Sequence, residues 1–121
     1  MTDLSGRVAL VTGAGSGIGE ATSRLLAERG AVVFRSDVEA SPQLESGQVS
    51  TETAGSRLLR LDVRKEEDWD DALAVVLCET GRLDILVHSA GISGASPLAE
   101  TSIAEWRRVL ETNLDGAFLA V

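Results

Sequence analysis

Tyrosine is absent from this sequence, lysine occurs once, at Lys65, and cysteine and histidine occur once each, at Cys78 and His88. One cysteine cannot close an internal disulfide and one histidine cannot build a multi-histidine metal site, so a metal-free chain in the cytoplasm is the expectation. With no tyrosine, these residues cannot by themselves run a mechanism that needs a tyrosine acid/base. Positive charge is also short: 11 basic side chains stand against 19 acidic ones, a net charge of −8 that gives no electrostatic support for a nucleic-acid partner. The longest uninterrupted apolar run, Ala72 to Cys78, falls far below the ~20 residues of a bilayer span, and the opening MTDLSGRVALV holds no long apolar stretch. Membrane insertion and secretion are therefore not expected. What is present suffices for one core: 121 residues, 44% of them hydrophobic, fit one domain and not two.

Strand and helix signals alternate along the chain. Arg7 to Thr12 is apolar and β-branched, GAGSGIG follows as a turn, and the next residues read as a helix with Ile18, Thr22, Leu25 and Leu26 on one face, stopped at Gly30. Ala31 to Phe34 begins a second strand that runs out through Arg35, Ser36 and Asp37, completing a strand–helix–strand unit and implying a parallel sheet. Residues 39 to 56, with Pro42, Gly47 and Gly55, show no sustained period and read as a surface connection with room for one short helix. Arg57 to Val63 reads as a third strand. Glu66 to Glu79 reads as a helix with Trp69, Ala72, Leu73, Val76 and Leu77 on its apolar stripe, closed by Gly81. Leu83 to His88 reads as a fourth strand buried on both faces, and Ser102 as the cap of a last helix bearing Trp106, Val109, Leu110, Leu114 and Ala117 on one stripe. That last pattern runs through Phe118, Leu119 and Val121 without a stop signal, so the chain is expected to continue past Val121. The elements give a three-layer α/β domain of strand order 3-2-1-4, with an apolar edge at the fourth strand that something is expected to cover.

The chemistry concentrates at the first turn. Gly13, Gly15, Gly17 and Gly19 do not fit G-x-G-x-x-G, because Ile18 stands where its last glycine would fall; the spacing is T-G-x-x-x-G-x-G over Thr12, Gly13, Gly17 and Gly19. Glycine lets the backbone turn tightly and approach a pyrophosphate, whose charge is met by amides at the helix N-terminus. A phosphate-binding loop of the Gly-Lys-Ser/Thr type is excluded because no lysine follows. Asp37, eighteen positions after Gly19 at the end of the second strand, can accept hydrogen bonds from a ribose diol. A 2′-phosphate ~4 Å away would be repelled by on the order of 4 kcal/mol per unit charge, so NAD is expected over NADP, with Arg35 the nearest basic group in sequence. Asp62 has two readings: it caps the following helix, or it accepts from an adenine amine. Asn113 on the last stripe needs a polar partner, and a packing role bonded to nearby backbone accounts for it on spacing alone. His88, at a strand end, reads as structural.

Together these residues resemble the N-terminal half of the short-chain dehydrogenase/reductase family. Thr12 to Gly19 matches its glycine motif, with Gly13, Ser16, Gly17, Ile18 and Gly19 at the cofactor. Asp37 matches its NAD-selecting acid, and Asp62-Val63 the pair that holds the adenine. His88-Ser89-Ala90-Gly91 stands where the family usually has Asn-Asn-Ala-Gly, which keeps Ser89, Ala90 and Gly91 beside the cofactor ribose while both amides are replaced. Asn113 matches the catalytic asparagine that helps hold a proton-relaying water. The resemblance implies a Rossmann-like α/β/α fold, incomplete here, an NAD cofactor, an alcohol or ketone substrate, and a dimer or tetramer for the full-length enzyme. The family's catalytic serine and Tyr-x-x-x-Lys pair are not among these residues, so residues 1–121 form a partial dinucleotide-binding domain expected to be inactive alone. Two competitors stay open: a non-catalytic dinucleotide-binding module or half-fold completed by a partner chain, and a methyltransferase-like domain binding adenosylmethionine. Ser89, Ser93 and Ser96 form no G-x-S-x-G elbow, which leaves a hydrolase without support.

Overall fold

A computed structural model describes residues 2–39, 43–52 and 56–121. The elements are β1 (Val8–Thr12), α1 (Gly17–Glu28), β2 (Val32–Asp37), β3 (Val49–Thr51), β4 (Ser56–Arg60), α2 (Glu66–Thr80), β5 (Ile85–His88), a short 3-10 turn (Leu98–Glu100), α3 (Ile103–Leu110), a π-helical turn (Glu111–Asp115) and α4 (Gly116–Ala120). The sheet runs β3-β4-β2-β1-β5, parallel throughout except for the β3–β4 pair. The expected 3-2-1-4 order is its parallel part, β4-β2-β1-β5.

Alternation along β1 builds the two cores. Val8 and Leu10 join Phe34, Leu59, Leu61, Val63, Ala72 and Val76 on the α2 side, while Ala9 and Val11 join Ala14, Ala31 and Val33 on the α1 side. Every residue of β1 is buried, as a central strand of a three-layer fold requires. The register then sets the site: Thr12 lies opposite Ser36 on one neighbour and His88 on the other, so three strands end together at one edge of the sheet.

Several expectations change. The polar connection after Glu39 contains strand β3 and no helix among its described residues, because Val49–Thr51 satisfies its backbone by antiparallel pairing with β4; Pro42 and Gly55 lie outside the described residues. The third strand stops at Arg60, where Leu61 to Val63 leave the ladder but stay buried. Helix α1 buries Gly19 and Ser23 with Leu26 and Ala27 against the sheet, and Ile18 (80% exposed) and Leu25 point outward. Small residues win that face because the helix starts so close to the glycine turn. On α2, Ala72 and Val76 are buried, while Leu73 and Leu77 are exposed. Strand β5 is not buried on both faces, since Leu86 is exposed. The last helix runs without a break from Ile103 to Ala120, as expected, with a π-helical turn at Glu111–Asp115, but Trp106, Leu110 and Leu114 on its stripe are exposed: among the described residues the sheet ends at β5 and gives them no layer to cover. Its start is as expected, with the Ser102 Oγ accepting from the Glu105 amide at 3.1 Å. No helix among the described residues is long and apolar enough to cross a membrane.

Candidate nucleotide site

The turn between β1 and α1 is shaped by contacts only glycine permits. A Cβ on Gly13, whose φ is +62°, would lie 2.6 Å from the Ala90 nitrogen, and one on Gly19 would lie 2.2 Å from the Gly13 carbonyl oxygen. Gly17 is different: its φ of +57° demands glycine, yet nothing stands within 4 Å of where a Cβ would be, so the space above the turn is open. Ser16 makes no side-chain cap bond, which leaves the first amides of α1 to be met from outside the helix. An open, amide-lined concavity at the start of a helix is chemically suited to an anion such as a diphosphate.

Asp37 closes one side. Its Oδ2 accepts from the Gly15 amide at 3.1 Å and its Oδ1 from the Glu39 amide at 3.2 Å, so the end of β2 is tied to the glycine turn. Ser89, Ala90 and Gly91 close the other side, and the atom that holds them is one the sequence reading passed over. Thr12, fully buried, accepts at Oγ1 from the Ser89 amide (3.1 Å) and the Ala90 amide (3.2 Å) and lies 2.8 Å from His88 Nδ1. A hydroxyl has two lone pairs and one proton. With both lone pairs engaged, its proton goes to His88 Nδ1, and the His88 proton sits on Nε2. That Nε2 is buried without a partner among the described residues, and the ring tilts against Trp69 at a centroid distance of 6.0 Å. Burial accordingly pushes the imidazole pKa down from its ordinary 6.5. His88 thus links two strands through Thr12, a structural role as expected.

Gly13, Ser16, Gly17, Ile18, Gly19, Asp37, Asp62, Val63, Ser89, Ala90 and Gly91, all eleven residues expected at a cofactor, line one cleft of about 600 Å³ at the C-terminal ends of the strands. That is where a sheet whose order reverses at β1 opens a crevice. Sequence reasoning missed Val38, Glu39, Leu61, Arg64, Ile92, Arg108 and Thr112, which complete the lining. Arg64 had a local signal in the Asp-x-Arg spacing. Asp62 does not cap α2, whose N-cap position is Lys65; its carboxylate takes the Arg64 amide (3.1 Å), Nε (2.9 Å) and Nη2 (2.6 Å). The hydrogen bonds from the Arg64 side chain hold its pKa below the ordinary carboxylate value against the opposing push of burial. Asn113 lies in the π-helical turn and finds its partner in backbone: Oδ1 accepts from the Ile92 amide at 2.8 Å and Nδ2 donates to the Ile92 carbonyl at 2.7 Å. It clasps the loop after β5 and retains one further lone pair and one N–H. Among the described residues no group of three or more His, Cys, Asp or Glu could hold a metal.

Comparison with known proteins places this architecture. The family model described as short chain dehydrogenase matches residues 7–121. The chain belongs to the short-chain dehydrogenase family. A cis-4-hydroxycyclohexanecarboxylate dehydrogenase from Sinomonas cyclohexanicum is 46% identical over 116 residues, covering 93% of this chain and 46% of that protein. A mitochondrial borneol dehydrogenase from Lavandula x intermedia is 39% identical over 118 residues, covering 96% and 44%. Among solved structures, a short-chain dehydrogenase/reductase from Serratia marcescens superposes with a TM-score of 0.80 at 30% identity, covering 97% of this chain and 50% of that one. This short-chain dehydrogenase chain therefore spans about half the length of the curated relatives it matches.

Proposed function

We propose that the chain is the NAD-binding portion of an oxidoreductase that interconverts an alcohol and a ketone. The observation that carries this reading is the convergence of the glycine turn, Asp37 and the Ser89–Gly91 loop on one cleft. In it the α1 amides bind the diphosphate, Asp37 accepts from the adenosine ribose, Asp62 and Val63 flank the adenine, and Ser89 to Gly91 border the nicotinamide ribose. The bound dinucleotide supplies the hydride-transfer chemistry. Asn113 holds the loop after β5 and offers its remaining polar capacity to a water in the proton relay. The two similar dehydrogenases named above support a cyclic alcohol as the substrate class. The functional enzyme is cytoplasmic and oligomeric in this reading, and residues 1–121 alone turn over nothing.

A second reading, which shares the same cleft and the same lack of tyrosine in residues 1–121, is a dinucleotide-binding module without catalysis. Titration calorimetry with NADH and NADPH, followed by assay with NAD and a cyclic alcohol, separates them. Binding of NADH without turnover by residues 1–121, and turnover by a chain extending beyond Val121, is the expected result. No heat with millimolar NADH on folded protein refutes both readings, and a longer chain that binds but never turns over leaves the module.

A further inference from the structure

Beside the glycine turn, a second cleft of about 380 Å³ is lined by Gly15, Ser16, Arg35, Asp37, Glu39, Glu52 and Leu58, and it shares Ser16, Asp37 and Glu39 with the nucleotide cleft. Arg35 and Asp37 are two residues apart on β2 and so point to the same face, whereas Ser36 between them is buried on the other and donates to the Val11 carbonyl. A guanidinium next to a ribose-binding acid would ordinarily be the group that accepts a 2′-phosphate. Here it is held. Its Nη1 lies 2.9 Å from Glu52 Oε2 and its Nη2 donates to the Ala14 carbonyl at 3.0 Å, with both side chains of the pair partly withdrawn from solvent.

We propose that Glu52 is a second determinant of cofactor choice, which by fastening Arg35 against the glycine turn withholds the guanidinium from a 2′-phosphate. Selectivity for the unphosphorylated dinucleotide then needs two carboxylates: Asp37, which repels the phosphate, and Glu52, which occupies the cation that would otherwise attract it. This rests on the nucleotide reading of the cleft. The Arg35 side chain already has an anionic partner and a carbonyl, and leaving them for a phosphate costs the first pair before gaining the second.

The test measures dissociation constants for NADH and NADPH by titration. Against an Asp37→Ser background, adding Glu52→Ala is expected to tighten NADPH by on the order of tenfold, the yield of one released charge-assisted contact. NADH affinity should stay within about twofold of the Asp37→Ser parent. Glu52→Gln, which keeps a neutral hydrogen bond to Arg35, should give a smaller gain and guards against a packing defect in the alanine variant. One control separates release of Arg35 from a general loss of negative charge: adding Arg35→Gln should cancel the gain. A gain that survives Arg35→Gln, or no gain with NADH binding retained, overturns the role of Glu52. Failure of the unaltered protein to bind NADH is a different result, which removes the nucleotide reading and this inference with it.

Discussion

Replacing Thr12 by valine keeps the shape of a fully buried side chain and deletes the oxygen on which the site is hung. Three groups lose their partner: the Ala90 amide, the Ser89 amide, which keeps only a longer bond of 3.3 Å to the Thr12 carbonyl, and His88 Nδ1. A buried polar group left unpaired costs about 1–3 kcal/mol. Taking the Ala90 amide and His88 Nδ1 as fully orphaned, at the lower half of that range, gives about 3 kcal/mol, a large part of the stability of a domain this size. Thr12→Ser supplies the control, since it keeps the hydroxyl and loses one methyl, about 1 kcal/mol. With several degrees of melting temperature per kcal/mol, Thr12→Val should melt ~12 °C or more below the parent and Thr12→Ser only ~4 °C below it. Circular dichroism melts of the three proteins measure this directly. A valine protein as stable as the serine protein would show that the hydroxyl is not what fixes the Ser89–Gly91 loop.

Gly19→Ala places a Cβ against the Gly13 carbonyl, backbone against side chain with no flexible atom to yield, so it should abolish nucleotide binding and lower the melting point severely; Gly17→Ala meets open space and should cost only the ~1–2 kcal/mol of its left-handed backbone. Equal melting points for the two would contradict the contact. Asn113→Ala removes the clasp on Ile92 and should speed hydrogen exchange of the Ile92 amide about tenfold or more, read by mass spectrometry or NMR; unchanged protection would show that other contacts order the loop. For pH, the folded His88 pKa lies below its unfolded value, so the unfolded chain takes up the proton first as pH falls. Stability is therefore full above about pH 6.5 and declines as pH drops toward the folded pKa, while Asp62 and Asp84, whose pKa values are also lowered, lose their contribution only below the carboxylate value of 3.8. Between pH 7.5 and 5.5 the melting temperature should fall in the parent and hold nearly level in His88→Asn, and a parallel fall in both would remove His88 as the cause.

The parts of the site legible in the sequence are those whose chemistry is local. Thr12 to Gly19 is one continuous stretch in which Gly13 and Gly17 answer to turn geometry and Gly19 to close backbone approach, and Asp37 follows from it by the length of one helix and one strand. What was not legible depends on residues brought together from afar. Thr12 in an apolar strand reads as β-branched filler, and its role appears only when β1 and β5 pair, across 76 to 78 positions of sequence. The Arg35–Glu52 pair has the same origin: Glu52 directly follows a three-residue edge strand too short to show a period, which exists because β4 offers it a ladder.

On helix faces the expectation held for Trp69, Ala72 and Val76 of α2 and for Leu26 of α1, and departed at Ile18 and Leu25 for a related reason. Periodicity marks the apolar side of a helix but is silent on how near the neighbouring layer stands, and near the glycine turn that distance decides the matter. Gly19 faces inward because the Gly13 carbonyl leaves no room for a larger residue, and the buried Ser23 hydroxyl donates back to the Gly19 carbonyl at 2.8 Å, so its polarity costs nothing there. Ile18, apolar and in phase with Leu25, is turned instead to the mouth of the cleft. An isoleucine kept 80% exposed beside an amide-lined concavity gains by being covered, and the partner best placed to cover it is one that also brings an anion to the turn. The position where the amphipathic reading broke down is thus one that the nucleotide reading accounts for: the same closeness of backbone that excludes a side chain from Gly19 aims the first turn of α1, and Ile18 with it, at the cleft.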